Sequence, residues 1–228
     1  MSDPFYKDIL YPIQDKVLAL VGSISSPFYL TGGTAVSRFM LNHRFSDDLD
    51  FFLNRDLDFH SQADKLIKLL TESFSKVEVL VRDDSYVMVL VYENSTPLKV
   101  EMVNDVGFRV GMPKIGKTGF QIDTWENILS NKLSALQRIA GKDFVDILFL
   151  SLNYTFNWET FINYAKQKDA WITEIAVSEL LFGFDLEALR DVKFPSDFDI
   201  KRINAGHFKI MARDACQGFE NSLYGRKI

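Results

Sequence analysis

A glycine pair followed by two alternating aspartates is the feature that most constrains this chain. Gly32-Gly33 ends one short apolar run, and Asp48-Leu49-Asp50 opens the next. Because side chains alternate across a strand, Asp48 and Asp50 share one face and lie roughly 6 to 7 Å apart. Ionised carboxylates at that distance repel each other, and a divalent cation that prefers oxygen ligands removes the repulsion. The pattern predicts a strand–turn–helix–strand unit with a cation site on one face.

Composition places the chain among globular proteins of ordinary polarity. Of its 228 residues, 47% are hydrophobic and 25% are charged. Its apolar runs are all shorter than the roughly 20 residues that a membrane span needs. The acidic N-terminus lacks the basic-then-apolar pattern of a signal peptide, and a single cysteine, Cys216, excludes an internal disulfide. We therefore expect a cytoplasmic protein without a membrane partner.

Charge and histidine content limit two further classes of function. The net charge of −5 is unlike the basic surplus of general nucleic-acid scaffolds, but it does not exclude RNA bound through a local basic patch and bridging metal ions. The three histidines show no metal-ligand spacing, so the sequence does not predict a zinc site.

Hydrophobic periodicity predicts a first half of mixed secondary structure. We expect helices over 7–21, 34–41 and 61–74, and strands over 28–30, 48–53, 76–81, 86–92 and 98–103. Residues 94–97 are expected to form a turn between the last two strands. The glycine-rich segment 105–122 is expected to be a loop that contains at most a short strand.

From Asp123 onward the apolar residues recur at helical spacing. Asp123-Thr124-Trp125-Glu126 resembles a capping box, so we expect a helix that begins there and ends at Gly141. Further helices are expected over 143–153, 157–168, 171–182 and beyond 199. The predicted fold class is α+β, with a small mixed sheet flanked by helices in a domain 1–120, an all-helical domain 121–228, and a cleft between them.

The Gly32-Gly33 turn has two interpretations. Glycine lets the backbone approach a ligand, and the amides that open the following helix, near Thr34, would bind a triphosphate. The simpler alternative is a tight strand-to-helix turn, but the aspartates that follow favour the functional interpretation. For Asp48 and Asp50 the alternative is a solvated strand face, which the low strand propensity of aspartate disfavours.

A third carboxylate is expected on a neighbouring strand, because two-metal chemistry usually requires one. Glu101 is the best candidate, since it interrupts an otherwise apolar run. Its alternative role is an ion pair with a lysine or arginine, which would offset the cost of burying the charge. Asp105 is the second choice.

The downstream helices carry three further candidates. Lys132 falls within an apolar stripe, where it either extends past the core to solvent or neutralises triphosphate charge. Asp143 is either a helix N-cap or a site residue, and Asp146 is expected to pair with Lys142. His43 is expected to be a polar loop residue without a catalytic role.

These segments resemble the AbiEii/AbiGii-type nucleotidyltransferases of the DNA polymerase β-like superfamily. The likeness covers residues 28–150 and is carried by residues 30–35, 43–51, 132–136, 138 and 142–146. At Gly33 the chain departs from the wider superfamily, where a serine is common, and so lacks one hydroxyl that would contact a phosphate. The C-terminal helices match no motif of this family.

The resemblance implies magnesium-dependent transfer of a nucleoside monophosphate from a nucleoside triphosphate to an acceptor, with release of pyrophosphate. By this resemblance, the triphosphate would be bound by Gly32, Gly33 and Thr34. Magnesium would be held by Asp48 and Asp50. Nucleotide binding or catalysis would involve Lys132 and Asp143. Many members are toxins of toxin–antitoxin or phage-defence systems, and some modify transfer RNA. The resemblance therefore implies an RNA acceptor and a cognate antitoxin as partners.

Two other functions stay open. A transferase that acts on a small cationic acceptor, such as an aminoglycoside, would suit the net charge of −5. A non-catalytic relative would bind a nucleotide or a partner protein without turnover, and the retention of both Asp48 and Asp50 argues against it.

Overall fold

The computed structural model describes residues 3–24, 26–116 and 119–228, which form two compact units. The first unit contains Met1–Ala35 and Ser46–Thr124, and the second contains Val36–Phe45 and Trp125–Ile228. Residues 117 and 118, which belong to the expected loop 105–122, lie outside the described residues. The domain boundary at residue 120 stays a prediction.

A seven-stranded mixed sheet forms the centre of the first unit. Its strands are β1 Tyr29–Thr31, β2 Leu49–Asn54, β3 Lys76–Asp83, β4 Tyr86–Glu93, β5 Thr96–Asp105, β6 Lys114–Ile115 and β7 Gln121–Ile122. They lie in the order β3-β4-β5-β2-β1-β7-β6. β2 runs parallel to β5 and antiparallel to β1, so the mixed sheet of the α+β prediction is confirmed.

The helices of the first unit pack beside this sheet. They are α1 Tyr11–Ser23, which follows a π-helical turn at Phe5–Leu10, then the short α2 Gly32–Val36, and α3 Phe59–Ser73. α2 continues directly into a π-helical turn at Ser37–Leu41, which belongs to the second unit. The apolar stripe of α3 is buried, as its helical periodicity predicts.

The central strands bury one face and leave the other half-exposed. Along β2 the buried residues Leu49, Phe51 and Leu53 alternate with half-exposed ones, and β5 shows the same alternation. This period of two is the expected consequence of strand geometry, with the apolar side chains in the core. The polar side chains of both strands therefore share the half-exposed face.

The described part of the second unit is helical, as predicted. Its helices are α4 Trp125–Ser134, α5 Gly141–Asn153, α6 Trp158–Lys166, α7 Glu174–Phe182 and α8 Ala205–Gln217. An aromatic core joins them, in which the Phe144 ring of α5 lies 4.2 Å from the Phe184 ring and 6.4 Å from the Phe208 ring of α8. None of the described helices is both long and apolar enough to cross a membrane.

Two local predictions were wrong. Thr96 and Pro97 belong to β5, so the turn before it contains only Asn94 and Ser95, both with positive φ. Gly141 begins α5 and does not end α4, which stops at Ser134. A Cβ at position 141 would lie 2.4 Å from the Ala188 carbonyl oxygen, so glycine is required there by close packing that helical periodicity does not reveal.

Candidate functional site

Three carboxylates meet on the half-exposed face of the sheet in the first unit. Asp50 of β2 pairs in register with Glu101 of β5, and Asp48 lies just before β2 on the same face. Because they are register partners on adjacent strands, the Asp50 and Glu101 side chains lie next to each other on that face. The predicted grouping of these three acids is therefore present, and we call it the acid cluster.

A lysine that the sequence analysis did not single out neutralises part of the acid cluster. Lys99 Nζ lies 2.7 Å from Glu101 Oε2 and 3.0 Å from Asp48 Oδ2. The Tyr86 hydroxyl of β4 donates a hydrogen bond to the other oxygen of Glu101. Glu101 therefore lies beside Asp50 and forms the ion pair of the alternative interpretation, and its role as a third metal ligand stays a prediction.

These contacts shift the proton affinities of the groups involved. Partial burial raises the pKa of Glu101, but hydrogen bonds from Lys99 and Tyr86 outweigh that effect and hold the pKa below its usual range. Burial lowers the pKa of Lys99, but its bonds to Glu101 and Asp48 dominate and raise it. Burial and the Glu101 carboxylate both raise the pKa of Tyr86. At pH 7 the cluster thus contains a Glu101 carboxylate, a Lys99 ammonium and a neutral Tyr86 hydroxyl.

The glycine turn lies directly beside the acid cluster. Thr31, at the end of β1, pairs with Asp50, and Gly32 follows with φ of +67°. A Cβ at position 32 would lie 2.3 Å from Asp50 Oδ2, a distance that no side chain tolerates. Glycine is therefore strongly favoured here, because the left-handed backbone strains other residues and a Cβ would displace the Asp50 carboxylate.

Gly33 and Thr34 occupy the first turn of α2. The Thr34 hydroxyl is buried and donates a hydrogen bond to the Asp48 backbone carbonyl, and it lies 2.9 Å from the Ser46 hydroxyl. Its side chain thus ties α2 to the backbone that precedes β2. A phosphate contact at this position would come from backbone amides, and the role of Gly32, Gly33 and Thr34 in binding a triphosphate stays a prediction.

The acid cluster contains the carboxylate oxygens that magnesium prefers as ligands. These oxygens supply only part of the coordination shell that the ion needs. Across the described residues, no group of three or more His, Cys, Asp and Glu side chains is arranged to hold a metal ion. Magnesium is commonly held by one or two carboxylates together with water and substrate phosphates, so Asp48 and Asp50 suffice when a nucleotide supplies further ligands. The donor set fits magnesium in that way, with Lys99 next to it.

The predicted residues Lys132 and Asp143 lie in the second unit, in a buried ion cluster. Lys132 Nζ lies 2.6 Å from Asp143 Oδ1 and 2.9 Å from Asp146 Oδ2. Arg44 donates two hydrogen bonds to the Asp146 carboxylate, at 2.6 and 2.7 Å, and His43 Nε2 lies 2.8 Å from the same group. Two buried cations thus face two buried carboxylates.

This ion cluster differs from what the sequence predicted for its members. Lys132 does not extend to solvent, and Ala140 rather than Asp143 is the N-cap of α5. Asp146 binds Arg44 and Lys132, whereas its expected partner Lys142 is exposed. The assignment of Lys132 and Asp143 to nucleotide binding or catalysis stays a prediction.

Burial and charge set the protonation of this ion cluster. Burial raises the pKa of Asp146, but the charges of Arg44 and Lys132 dominate and hold it well below the usual range. Burial lowers the pKa of Lys132, and its two carboxylate partners outweigh that effect and raise it. Burial lowers the pKa of His43 despite its bond to Asp146, so the imidazole is neutral at pH 7.

The sequence contains a signal for Lys99 but none for the pairing of Arg44 and His43 with Asp146. Lys99 and Glu101 are two positions apart on one strand, so they share a face, and that face is the one that carries Asp50. Arg44 and His43 lie in the segment just before the paired aspartates, but their partner Asp146 is 102 and 103 residues away in the chain. No local pattern reports a pairing over that distance.

The chain matches a known protein family over most of its length. A sequence model described as the nucleotidyl transferase AbiEii toxin, of a type IV toxin–antitoxin system, matches residues 19–220. The chain belongs to this AbiEii family. The AbiEii chain is therefore a nucleotidyltransferase, and the description of its family implies a nucleotide substrate and an antitoxin partner. This confirms the resemblance noted in the sequence.

One sequence relative and two solved structures are similar to the chain. The AbiEii chain is 31% identical over 162 residues to the uncharacterized protein aq_aa25 of Aquifex aeolicus (strain VF5), a match that covers 68% of the chain and 71% of that protein. It resembles the crystal structure of a proposed nucleotidyltransferase from H. pylori with a TM-score of 0.62 at 17% identity, over 95% of the chain and 96% of the other. It also resembles JHP933 from Helicobacter pylori with a TM-score of 0.59 at 18% identity, over 95% and 94% of the two chains. At these identities the two structures show that the fold is shared.

Proposed function

We propose that this AbiEii enzyme transfers a nucleoside monophosphate from a magnesium-bound nucleoside triphosphate to an RNA acceptor, and that it acts in this way as a toxin. The observation that carries the proposal is the acid cluster, because Asp48, Asp50 and Glu101 share one half-exposed face beside the Gly32 turn. Family membership supports the class of reaction.

Asp48 and Asp50 are the residues that we assign to magnesium, with Glu101 as a third carboxylate at the edge of the site. When bound, magnesium supplies positive charge that activates the attacking hydroxyl and stabilises the leaving pyrophosphate. The Asp50 carboxylate fits this role because it lies next to Glu101 in the sheet and beside the backbone of the Gly32 turn.

The reaction needs positioning more than covalent help from the protein. An acceptor hydroxyl oxygen bonds to the α-phosphorus and passes its proton to water, while the bond from that phosphorus to the bridging oxygen breaks and pyrophosphate leaves with that oxygen. We assign the backbone amides at Gly33 and Thr34 to the triphosphate, since the first turn of α2 directs its amides away from the helix body.

Lys132 and Asp143 contribute indirectly in this proposal. Their ion cluster binds Arg44, which is four residues before Asp48 in the chain. We infer that the buried ion cluster anchors the segment Val36–Phe45, which links α2 to β2 in the chain. Lys132 and Asp143 would then be positioning residues rather than groups that touch the substrate.

RNA is the acceptor class that we assign. A toxin has to act on a component that the cell needs, and a ribose at an RNA terminus offers the hydroxyl that the reaction consumes. A small cationic acceptor such as an aminoglycoside is the competing choice, because the net charge of −5 suits it. We expect the reaction to take place in the cytoplasm, where RNA and nucleoside triphosphates are available.

An acceptor screen with the variant Asp48→Ala tests this function. Each nucleoside triphosphate, labelled at the α-phosphorus, is incubated with wild-type protein, magnesium and either total RNA, aminoglycosides or cell protein. We expect label in RNA, and a loss of about 100-fold or more in Asp48→Ala, because a group that holds the charge of the transition state is removed. Asp64→Asn is the matched control, since Asp64 lies in the same unit and forms an exposed ion pair with Arg82.

Three outcomes would contradict the proposal in different ways. Full transfer by Asp48→Ala would exclude the acid cluster as the site. Label in aminoglycosides or protein but not in RNA would show that the acceptor is wrong and leave the reaction class intact. Binding of magnesium-nucleotide without transfer to any acceptor would indicate a non-catalytic relative.

A further inference from the structure

Lys99 contacts the acid cluster from within the same strand as Glu101. Its ammonium bridges two carboxylates, at 2.7 Å from Glu101 and 3.0 Å from Asp48. The two acids belong to different parts of the chain, since Asp48 precedes β2 and Glu101 lies in β5. Lys99 therefore joins the two segments that carry the carboxylates.

The acid cluster needs a cation in order to hold its shape. Asp50 and Glu101 are register partners on adjacent strands, so their carboxyls are next to each other on one face of the sheet. Like charges that are this close repel strongly in a partly buried setting. Lys99 is the cation that the described structure shows in ion pairs with both Asp48 and Glu101.

We propose that Lys99 is a positioning residue that holds the acid cluster together before magnesium arrives and competes with the metal for Asp48 and Glu101. This inference rests on the proposed function, in which the acid cluster binds magnesium. Lysine suits such a role because its ammonium is a compact charge on a flexible four-carbon chain, so it can leave one carboxylate without a change in the backbone.

The competing explanation is that Lys99 forms an ordinary structural ion pair. An ordinary pair of the same type is available in the same unit, because Lys16 Nζ lies 3.0 Å from Glu93 Oε2. The side chains of Lys16 and Lys99 are 39% and 33% exposed, so the two lysines are matched in exposure as well as in ion-pair length. Loss of Lys16 would change stability in a similar way but would leave metal affinity unchanged.

The test is a calorimetric titration with Mn²⁺ alone, which shares magnesium's preference for carboxylate oxygens. The proteins are wild type, Lys99→Met, Lys99→Arg, Lys16→Met and Asp50→Asn, each checked by circular dichroism for a folded state. We expect Lys99→Met to bind Mn²⁺ about tenfold or more tightly than wild type, because a competing unit charge in contact with two ligands is removed. Lys99→Arg and Lys16→Met should bind Mn²⁺ as wild type does, and Asp50→Asn should bind it far more weakly.

A second readout covers the case in which Lys99→Met is poorly folded. Without metal this variant should unfold at a lower urea concentration than wild type, and Mn²⁺ should restore the midpoint by a larger shift than it gives in wild type. In Lys16→Met the midpoint should shift with Mn²⁺ as it does in wild type.

Failure of this inference differs from failure of the proposed function. If Lys99→Met binds Mn²⁺ no more tightly than wild type while Asp50→Asn loses binding, Lys99 does not compete with the metal and the metal site stands. If Asp50→Asn binds Mn²⁺ as wild type does, or if none of the proteins binds it, the acid cluster is not a metal site and both proposals are wrong.

Discussion

At the scale of single residues, the backbone conformation of Gly32 is coupled to the position of the Asp50 carboxylate, which we assign to magnesium. Gly32 adopts a left-handed φ of +67°, and the Asp50 carboxylate occupies the space that a side chain would need. A glycine in the strand-to-helix turn and an aspartate in the next strand are therefore mutually dependent.

The substitution Gly32→Ala tests this dependence. We expect it to lower the free energy of unfolding by more than the roughly 1–2 kcal/mol of left-handed strain, because Asp50 must also move. Displacement of Asp50 by about 1 Å should lower transfer by about 100-fold. Gly225→Ala is the control, since Gly225 has φ of +75° with open space around it. Equal effects of the two substitutions on urea unfolding and on transfer would contradict the dependence.

At the scale of elements, α5 presents a buried anionic face. Asp143 and Asp146 are three residues apart, so they lie on the same side of the helix, where Lys132 of α4 contacts both. Arg44 adds a bidentate contact to Asp146. Buried charges are tolerated in such a cluster only while each has its partner.

Asp146→Asn should therefore be costly. The substitution leaves Arg44 and Lys132 buried with half their countercharge, and we expect the free energy of unfolding to fall by about 3–5 kcal/mol. The control is Glu187→Gln, which removes an exposed pair with Arg190 and should cost less than about 1 kcal/mol. Urea unfolding of the three proteins measures both values, and a loss at Asp146 no larger than that at Glu187 would contradict the buried-ion account.

We also expect Asp146 to determine how the free energy of unfolding changes at acid pH. The pKa of Asp146 is lower in the folded state than in the unfolded chain. Its stabilising contribution is then present above the unfolded pKa, near 3.9, and is lost as the pH falls through the folded pKa. Between pH 5 and 2 the stability of wild type should fall more steeply than that of Asp146→Asn. Parallel curves from urea unfolding at each pH would show that Asp146 is not the titrating group.

At the scale of the whole molecule, local patterns predicted five of the seven described strands, the helical second half and the face that Asp48 and Asp50 share; the two-residue strands β6 and β7 lie in the segment expected to be a loop. Alternation and helical periodicity are patterns among residues close together in the chain, so the elements that depend on them can be predicted from the sequence. The buried ion cluster could not be predicted, because Arg44 and Asp146 meet across 102 residues. Two other features also depend on contacts between residues far apart in the chain and so could not be predicted. They are the membership of Val36–Phe45 in the second unit and the packing of Gly141 against Ala188.

Removal of divalent metal should separate folding from activity. Because Lys99 supplies a cation within the acid cluster, EDTA should stop nucleotide transfer and lower the thermal unfolding midpoint only by the small amount that loss of bound metal causes. Readdition of magnesium should restore transfer. Differential scanning calorimetry measures the midpoint with and without EDTA. A large drop in EDTA would show that a metal rather than Lys99 maintains the acid cluster.

The most direct test of the whole account is the rate of transfer by Asp50→Asn. The substitution keeps the size of the side chain and removes the charge that the proposed magnesium site requires. With α-labelled nucleoside triphosphate, saturating magnesium and the acceptor found in the screen, we predict a rate at least about 100-fold below wild type in a protein that remains folded. A folded Asp50→Asn protein that transfers nucleotide at the wild-type rate would contradict the assignment of the acid cluster as the active site.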